Sequence, residues 1–277
     1  MKEFTVKSAD TLKNFTDNTY PQGSFYFSAL LKKRDVRVNG VRVGGDVPLA
    51  AGDRVTYYTT PAQEEKQAFR VLYQDENVLV ADKESGVNSE AVYAVLSASA
   101  PCFFIHRLDR NTQGLMIFGK TQAAADCLLS AFRTRRVTKI YHAVCAGVFP
   151  KESAVLTAYL KKNAGDAFVK ISDRPAGEKI VTEYRILGRA RGLNFVEVTL
   201  HTGKTHQIRA HLAHIGCPVL GDTKYGDRAV NARCRRTRQC LAAKKLILHA
   251  GGVLAYLDGR EFVSAFDVFA PFSENQP

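Results

Sequence analysis

The sequence lacks both a long apolar run and an apolar leader. Its longest stretch without a charged residue, Ala91 to Ile105, contains Pro101 and is too short to span a membrane as a helix. The first residues, from Met1 onward, have no apolar core of the kind that directs secretion. We therefore expect a cytoplasmic protein without membrane association.

The sequence also lacks the patterns typical of disulfide frameworks, metal sites and nucleotide cofactors. Its six cysteines show no framework spacing, which favours reduced thiols in a cytoplasm. His211, His214 and Cys217 have a spacing that zinc ligands can adopt, but no fourth ligand is spaced to close the site. There is no glycine-rich phosphate loop and no internal repeat. We expect neither a metal nor a cofactor.

Acidic residues are in the minority. The 277 residues include 39 Lys and Arg against 27 Asp and Glu, which gives a formal net charge of +12. This balance suits a polyanionic partner, although charge alone also fits an ordinary basic cytoplasmic protein. Basic residues cluster around 133–139 and again around 233–238. With 45% hydrophobic residues, the chain can bury the core of one large domain, or of one large and one small domain.

Residues 1–60 are interpreted as a small separate domain. A helix-compatible stretch at 25–32 precedes two alternating runs joined by Asn39-Gly40, which is a strong hairpin signal. This pattern is similar to the small α/β RNA-binding domain first seen in ribosomal small-subunit protein four, whose helices present basic residues to RNA. An ordinary hairpin with a solvated basic face is the alternative. The resemblance implies RNA contacts by Lys32, Lys33, Arg34 and Arg37.

The polar and charged segment from Pro61 to Gln67 predicts a linker, which we place at 61–69. We expect few contacts to cross between the first domain and the second, at 70–277. In the second domain, two apolar runs around Asp75 predict a hairpin. Strands are also predicted at 139–148, 179–187 and 193–200.

Two helices are predicted between these strands. Thr121 is placed to cap the first, and Thr205 is placed to cap the second, which Gly216 ends. The second helix has a buried stripe that includes Ile208 and Leu212. Because the strands come mostly as hairpins, the fold class is α+β with a mixed, largely antiparallel sheet.

Residues 106–120 contain a carboxylate in an unusual setting. Asp109 lies between Arg107 and Arg110, just before a Thr-Gln-Gly turn that leads into an apolar strand. The neighbouring cations favour the ionised carboxylate, and the turn can hold it on a loop. An Asp that only pairs with an Arg is the plain alternative. The whole string resembles the His-Arg-Leu-Asp motif of the RluA family of RNA pseudouridine synthases, in which this Asp is the catalytic residue.

Further segments support that resemblance in the expected order. Residues 201–211 are similar to a family block whose Arg, here Arg209, faces the catalytic Asp. Residues 139–141 are similar to the segment that carries the active-site Tyr, here Tyr141. Three further family blocks are matched by Gly221-Asp222 with Tyr225-Gly226, by Leu248-His249-Ala250, and by Lys83 with Gly86. The likeness covers roughly residues 70 to 270. It departs from the family pattern in three ways: Glu84 replaces a Pro, Gln113 replaces a Ser, and the segment 86–106 is short.

The resemblance implies the pseudouridine synthase fold and the isomerisation of a uridine in RNA. The bond from ribose to N1 is cut, the uracil turns in place, and C5 is joined to the ribose. One carboxylate is then enough, because no water has to be activated. In this reaction Asp109 either adds to C1′ or takes a proton from C2′, and Arg209 orients the Asp109 carboxylate. Tyr141 stacks on the uracil or removes the C5 proton.

We expect a monomer whose partner is RNA, with large-subunit ribosomal RNA as the first choice and transfer RNA as the second. Two other readings remain: a catalytically silent RNA-binding protein, and a hydrolase with Asp222 as a second essential carboxylate. The candidate RNA-binding side chains of the second domain are Arg107, Lys83, Thr112, Lys139, His206 and Gln207.

Overall fold

The N-terminal part is a small sheet with two helices packed on it, in a computed structural model that describes residues 1–162 and 168–272. The expected end of the second domain at 277 lies outside the described residues. The sheet order is β1-β6-β3-β4, and β2 pairs with β5. Its elements are β1 (Lys2–Thr5), β2 (Asp10–Thr11), α1 (Leu12–Thr19), α2 (Pro21–Lys33), β3 (Val36–Val38), β4 (Val41–Val43), β5 (Pro48–Leu49) and β6 (Arg54–Tyr57).

The hairpin predicted at Asn39-Gly40 is confirmed, since it joins β3 to β4 and both residues have positive φ, 49° and 83°. The predicted helix is α2, which extends beyond 25–32 at both ends. Helix α1 was not predicted, although Thr11 caps it by accepting a hydrogen bond from the N–H of Asn14.

The segment interpreted as a linker contains a short helix, α3 (Pro61–Glu64). Thr60 caps it through a capping box with Gln63. Glu64 accepts hydrogen bonds from Tyr20 and Thr59, which tie α3 to the rest of the N-terminal part. The segment predicted to be a linker is therefore helical at 61–64 and held against the N-terminal part.

The larger part is one mixed sheet with the order β13-β12-β14-β15-β11-β16-β10-β8-β7, to which β9 and β17 add at β10 and β16. Only the β10–β16 pair among these described strands is parallel, which confirms the α+β class. The elements are β7 (Phe69–Gln74), β8 (Val78–Lys83), α4 (Ser89–Ser99), β9 (Phe103–Phe104), β10 (Gln113–Gly119), α5 (Gln122–Arg133), β11 (Val137–Cys145), β12 (Ser153–Lys161), β13 (Lys170–Ser172), β14 (Glu178–Ala190), β15 (Leu193–Leu200), α6 (Gln207–His214), α7 (Arg228–Arg233), β16 (Leu241–Leu248), a 3-10 helix at Gly252–Leu257, β17 (Glu261–Val263) and a second 3-10 helix at Ala270–Phe272.

Most predicted elements of this part are present. The hairpin β7–β8 turns at Asp75, whose Oδ1 accepts two backbone N–H groups, and Thr121 caps α5. The cap of α6 differs from the prediction: it is His206, in a left-handed conformation, and not Thr205. The uncharged stretch 91–105 supplies most of α4 and β9. Over the described ranges, no helix has the length and apolar character to cross a membrane.

Gly114 allows the loop that carries Asp109 to enter the sheet. It follows the loop directly and pairs with Ala243 where β10 runs parallel to β16. Its φ is 111°, and a Cβ atom there would lie 2.3 Å from the carbonyl oxygen of Ala243. Only glycine fits this position without moving the two strands apart.

The two parts are in close contact, contrary to the expectation of few crossing contacts. Arg110 of the larger part forms an ion pair with Asp17 of α1. The Asn88 side chain donates a hydrogen bond to Asn18 at 2.9 Å. Phe25 of α2 packs against the hydrophobic core beneath the large sheet. The N-terminal part thus lies directly beside the loop of residues 105–112.

Candidate active site

The loop of residues 105–112 is held at several points. The Ser89 hydroxyl both accepts from the N–H and donates to the carbonyl of Leu108, each at 2.9 Å. Three residues after Asp109, the N–H of Thr112 donates to the Asp109 carbonyl at 3.0 Å. Gln239 donates to the Thr112 hydroxyl at 2.5 Å. Asp109, between these anchors, is therefore fixed by its backbone rather than free on a flexible loop.

His106 at the start of this loop is a neutral structural ring. Its Nε2 accepts the backbone N–H of Ile117 at 3.1 Å, and its ring stacks on Phe132 with centroids 4.6 Å apart. Burial, together with the positive charge of Lys139, lowers the pKa of His106 to about 3.

Arg209 projects from the first turn of α6 towards Asp109. Its Nη1 lies 2.7 Å from Oδ2 of Asp109. Its Nε and Nη2 bind both carboxylate oxygens of Asp222, at 2.6 and 2.9 Å. Burial alone would lower the pKa of Arg209, but these two carboxylates raise it above its ordinary value. The predicted pairing of Arg209 with Asp109 is present in the structure.

Asp222 anchors Arg209 and is inaccessible, with 1% of its surface exposed. Besides Arg209, it accepts the backbone N–H groups of Lys224 and Tyr225, at 2.8 and 3.1 Å. Burial raises the pKa of Asp222, yet Arg209 and these N–H groups outweigh burial and hold it below the ordinary value. A carboxylate so enclosed cannot activate water at the cavity. The hydrolase interpretation, which needed Asp222 as a second catalytic carboxylate, is therefore wrong.

Tyr141, on β11, faces the same cavity as Asp109. It is 8% exposed and belongs to the hydrophobic core beneath the sheet. Burial, and the nearby charge of Asp109, raise the pKa of the Tyr141 phenol above its ordinary value. The phenol is therefore protonated at neutral pH.

His206, the residue before α6, also lines the cavity. Its Nδ1 is 2.9 Å from the Tyr225 hydroxyl, which also accepts the N–H of Val169 at 2.8 Å. Its Nε2 is 4.0 Å from Oδ2 of Asp109. Burial outweighs the attraction of Asp109 and lowers the pKa of His206 to about 4. The ring is neutral at pH 7.

These side chains surround a cavity of about 310 Å³, at the lower end of the roughly 300–1,000 Å³ typical of ligand sites. A shallower groove of about 530 Å³ shares Phe132, Lys139 and Lys204 with it and is also lined by Arg133, Arg135 and Lys179. The cavity is lined by His106, Arg107, Leu108, Asp109, Thr112, Phe132, Lys139, Tyr141, Leu200, Gly203, Lys204, Thr205, His206, Gln207, Ile208, Arg209 and Leu241.

Several expected RNA-binding residues have other contacts. Lys83 is fully buried, and its ammonium donates to the carbonyls of Glu84, Val87 and Arg110, so it is a link between two loops and not an RNA contact. Burial lowers the pKa of Lys83 to about 7. Gln207 is 2% exposed, and its amide accepts from the Thr202 hydroxyl and donates to the Val181 carbonyl and the Thr182 hydroxyl, which corrects the expectation for that residue too.

The remaining candidates fall into two groups. Arg107 lies at the cavity rim with 66% of its side chain exposed, 3.2 Å from Glu90. Thr112 lines the cavity, but its hydroxyl accepts from Gln239 and its residue is 3% exposed, so its observed role is to hold the loop. Lys32, Lys33, Arg34 and Arg37 lie on the N-terminal part, outside the cavity.

Sequence reasoning missed three contributors to the site: Ser89, Gln239 and Tyr225. Each supports a cavity residue through a hydrogen bond between segments far apart in the chain. Only Tyr225 carried a signal, since it lies in the recognised Gly221-to-Gly226 block.

Among the described residues, no group of three His, Cys, Asp or Glu side chains is placed to hold a metal ion.

The chain is similar to RNA pseudouridylate synthases in sequence and in fold. A family model described as RNA pseudouridylate synthase matches residues 77–214. Ribosomal large subunit pseudouridine synthase C of Vibrio cholerae is 30% identical over 250 residues, which are 81% of this chain and 78% of that protein. Ribosomal large subunit pseudouridine synthase D of Pseudomonas aeruginosa is 34% identical over 173 residues, or 57% of this chain and 53% of that protein.

The solved structure of human RNA pseudouridylate synthase domain containing 1 has the same fold, with a TM-score of 0.62 and 23% identity over 73% of this chain and 85% of that one. The chain belongs to the RNA pseudouridylate synthase family, and its predicted place in the RluA family is confirmed. It is an isomerase that converts uridine in RNA to pseudouridine.

Proposed function

We propose that this enzyme modifies uridines of large-subunit ribosomal RNA, with Asp109 as its catalytic carboxylate, Arg209 as the residue that positions it, and Tyr141 as the aromatic partner of the uracil. The observation that carries the assignment is the 2.7 Å contact of Arg209 with Asp109 at a cavity that Tyr141 also lines. The ribosomal target is supported by the relatives from V. cholerae and P. aeruginosa, both named for the large ribosomal subunit.

Asp109 acts in its ionised form. Either of its two routes, addition to C1′ or removal of the C2′ proton, needs a free oxygen on the carboxylate. Arg209 contacts only Oδ2 of Asp109, and no side chain or N–H among the described residues donates a hydrogen bond to Oδ1. The uracil leaves C1′ through N1 as an anion, turns, and bonds to C1′ through C5. In the first route this bond displaces Asp109 from C1′, and in the second it forms as the proton returns to C2′. The C5 proton is then lost and N1 takes up one proton, so the product is an isomer of uridine and no water or cofactor enters the balance.

Tyr141 provides a ring for stacking and a protonated phenol. Aromatic stacking contributes about 1–3 kcal/mol per base, which can hold the detached uracil while it turns. The neighbouring imidazoles are engaged by other groups, since Nε2 of His106 accepts the N–H of Ile117 and Nδ1 of His206 is bonded to the Tyr225 hydroxyl. Because the Tyr141 phenol is itself protonated, it can take up the C5 proton only while it gives up its own. We assign to it this relay of the C5 proton.

The cavity admits one base rather than a duplex. A target uridine is therefore flipped out or already unpaired. The groove lined by Arg133, Arg135 and Lys179 continues from the cavity, and it offers positive charge to the phosphates that flank the flipped nucleotide. Arg107, exposed at the rim, is placed to contact the same strand or the space left by the base.

Residues 1–60 form, in this proposal, an RNA-binding domain attached to the catalytic domain of 70–277 through 61–69. Lys32, Lys33 and Arg34 are exposed at the C-terminal end of α2, where they can neutralise phosphates. Arg37 instead lies 5.0 Å from the centre of the Tyr58 ring. Its charge is held against the domain surface.

Mapping of pseudouridines in total RNA tests the target. Cells with the wild-type gene, without it, and with the Asp109→Asn variant are compared. We expect a few uridines of large-subunit RNA to be modified only with the wild-type gene. Sites confined to transfer RNA would contradict the ribosomal assignment and favour the alternative target.

A further inference from the structure

The side chain of Arg110, the residue after Asp109, contacts the N-terminal part of the protein. Its guanidinium forms an ion pair with Asp17 of α1, and its Nη2 donates to the carbonyl of Ser24 at 3.3 Å. Arg110 does not line the cavity. The catalytic motif is therefore attached to a part of the chain that otherwise resembles a separate RNA-binding module.

Asp17 forms a preorganised site for this guanidinium. The residue is 8% exposed, its Oδ1 accepts from the Ser24 hydroxyl at 2.7 Å, and its Oδ2 contacts the Lys13 ammonium as well as Arg110. A carboxylate with this many charged and polar partners fixes the guanidinium in one place. Removing one partner of a buried ion pair leaves an uncompensated charge and is strongly unfavourable.

Helix α1 reaches the other side of Asp109 as well. Asn18, next to Asp17, accepts a hydrogen bond from Asn88 at 2.9 Å. Asn88 precedes Ser89, whose hydroxyl holds the backbone of Leu108. Leu108 and Arg110 flank Asp109, so two adjacent residues of α1 support the chain on both sides of the catalytic carboxylate.

We propose that Asp17 is a positioning residue for catalysis, through which the N-terminal domain fixes the loop that carries Asp109. The inference rests on the proposed role of Asp109 and extends it to a residue 92 positions earlier in the chain. It changes the expected role of residues 1–60, which then contribute to the rate of the chemical step and not only to RNA affinity. A displacement of about 1 Å at a reacting group can cost up to roughly 100-fold in rate.

The test uses the full-length protein and single-turnover rates at saturating RNA. Asp17→Asn keeps the size of the side chain and removes its charge. We expect the rate to fall between about 10- and 100-fold, with the Kd for RNA changed by less than about twofold. Glu3→Gln, at an exposed position of β1 in the same N-terminal part, is the matched control and should keep the wild-type rate.

Two further variants separate positioning from simple loss of folding. Arg110→Gln should match Asp17→Asn, and the double variant should be no slower than either alone, because both substitutions remove the same contact. The charge swap Asp17→Arg with Arg110→Asp restores an ion pair in reverse and should recover a substantial part of the lost rate. Thermal unfolding of each variant shows whether the N-terminal part is still folded.

The outcomes distinguish this inference from the proposed function. If Asp17→Asn has the wild-type rate while Asp109→Asn is inactive, the positioning role is overturned and the assignment of Asp109 stands. If Asp17→Asn changes only the Kd, or if the double variant shows additive losses, the positioning role is also overturned. Full activity of Asp109→Asn would overturn the proposed function itself.

Discussion

Asp222 binds two nitrogens of the Arg209 guanidinium, Nε and Nη2, and leaves the third, Nη1, directed at Asp109. A guanidinium is planar and its donors lie in a fixed fork. Binding one edge of it therefore sets the direction of the remaining donor. The buried carboxylate, with no access to the cavity, orients the accessible one through Arg209.

Asp109→Asn removes the proposed nucleophile or base while keeping the shape of the side chain. We expect pseudouridine formation to fall by several orders of magnitude, with little change in RNA affinity, because the lost interaction acts in the transition state. Single-turnover assays and RNA-binding titrations measure the two effects. Asp126→Asn, at an exposed position of α5, is the control. Substantial turnover by Asp109→Asn would mean that another residue carries the chemistry.

Arg209→Lys should behave as a severe substitution, since a lysine cannot bind Asp222 through two nitrogens and Asp109 through a third. In a double-mutant cycle, Arg209→Lys and Asp109→Asn together should slow the reaction little more than Asp109→Asn alone. Independent, multiplicative losses would show that Arg209 acts elsewhere.

Asp222→Asn should destabilise the protein, because it leaves the buried guanidinium with one carboxylate instead of two. We expect a loss of about 3–5 kcal/mol in the free energy of unfolding, the range for breaking a buried ion pair. Urea titration measures it. A loss below about 1 kcal/mol would fit an exposed pair and would contradict the anchoring role.

Tyr141→Phe keeps the ring and removes the phenol. RNA affinity should be preserved, whereas turnover should fall by about 10²–10⁴, the usual contribution of a positioned acid or base. Tyr141→Leu should weaken both. Because burial raises the pKa of Tyr141, its ionisation should add no step to the rate profile between pH 7 and 9. Wild-type turnover by the Phe variant would leave stacking as the sole role.

Lys32→Gln with Lys33→Gln should weaken RNA binding most at low salt. Each phosphate contact contributes about 0.7–0.9 to the slope of log K against log salt, so the slope should decrease by roughly 1–2. Arg37→Gln is the comparison, since its guanidinium lies against Tyr58 and the slope should not change. Equal slopes for the double variant and the wild type would remove these lysines from the RNA contact.

His106 should make the protein sensitive to acid. Its folded pKa is lowered to about 3, so between pH 6.5 and 3 the unfolded chain binds a proton that the folded chain does not. The free energy of unfolding therefore decreases as the pH is lowered through that window. From pH 7 to 5 the wild type should lose about 2 kcal/mol more than His106→Gln, which retains an acceptor for Ile117.

Local chemistry made much of this protein predictable from its sequence. The turn at Asn39-Gly40, the cap at Thr121 and the turn at Asp75 follow from interactions within a few residues, and each is present. The family motifs likewise identified Asp109, Tyr141 and Arg209, which the fold brings to one cavity.

Other features depended on which side chains meet across the chain. The cap of α6 shifted to His206, the buried position of Lys83 removed it from the RNA surface, and Asp222 became the partner of Arg209. None of these follows from residue type or periodicity, because burial and pairing are set by neighbours from other elements.

The sequence by itself determined the reactive groups and the short-range turns and caps that hold them on particular elements. The tertiary structure alone decided which distant side chains hold these groups in place. Arg209 contacts Asp109, 100 residues away in the sequence, and Arg110 contacts Asp17, 93 residues away. A local pattern can encode a turn, since its hydrogen bonds close within the pattern. An ion pair between distant segments has no such signature, because it forms only when packing of the whole chain brings the two charges together.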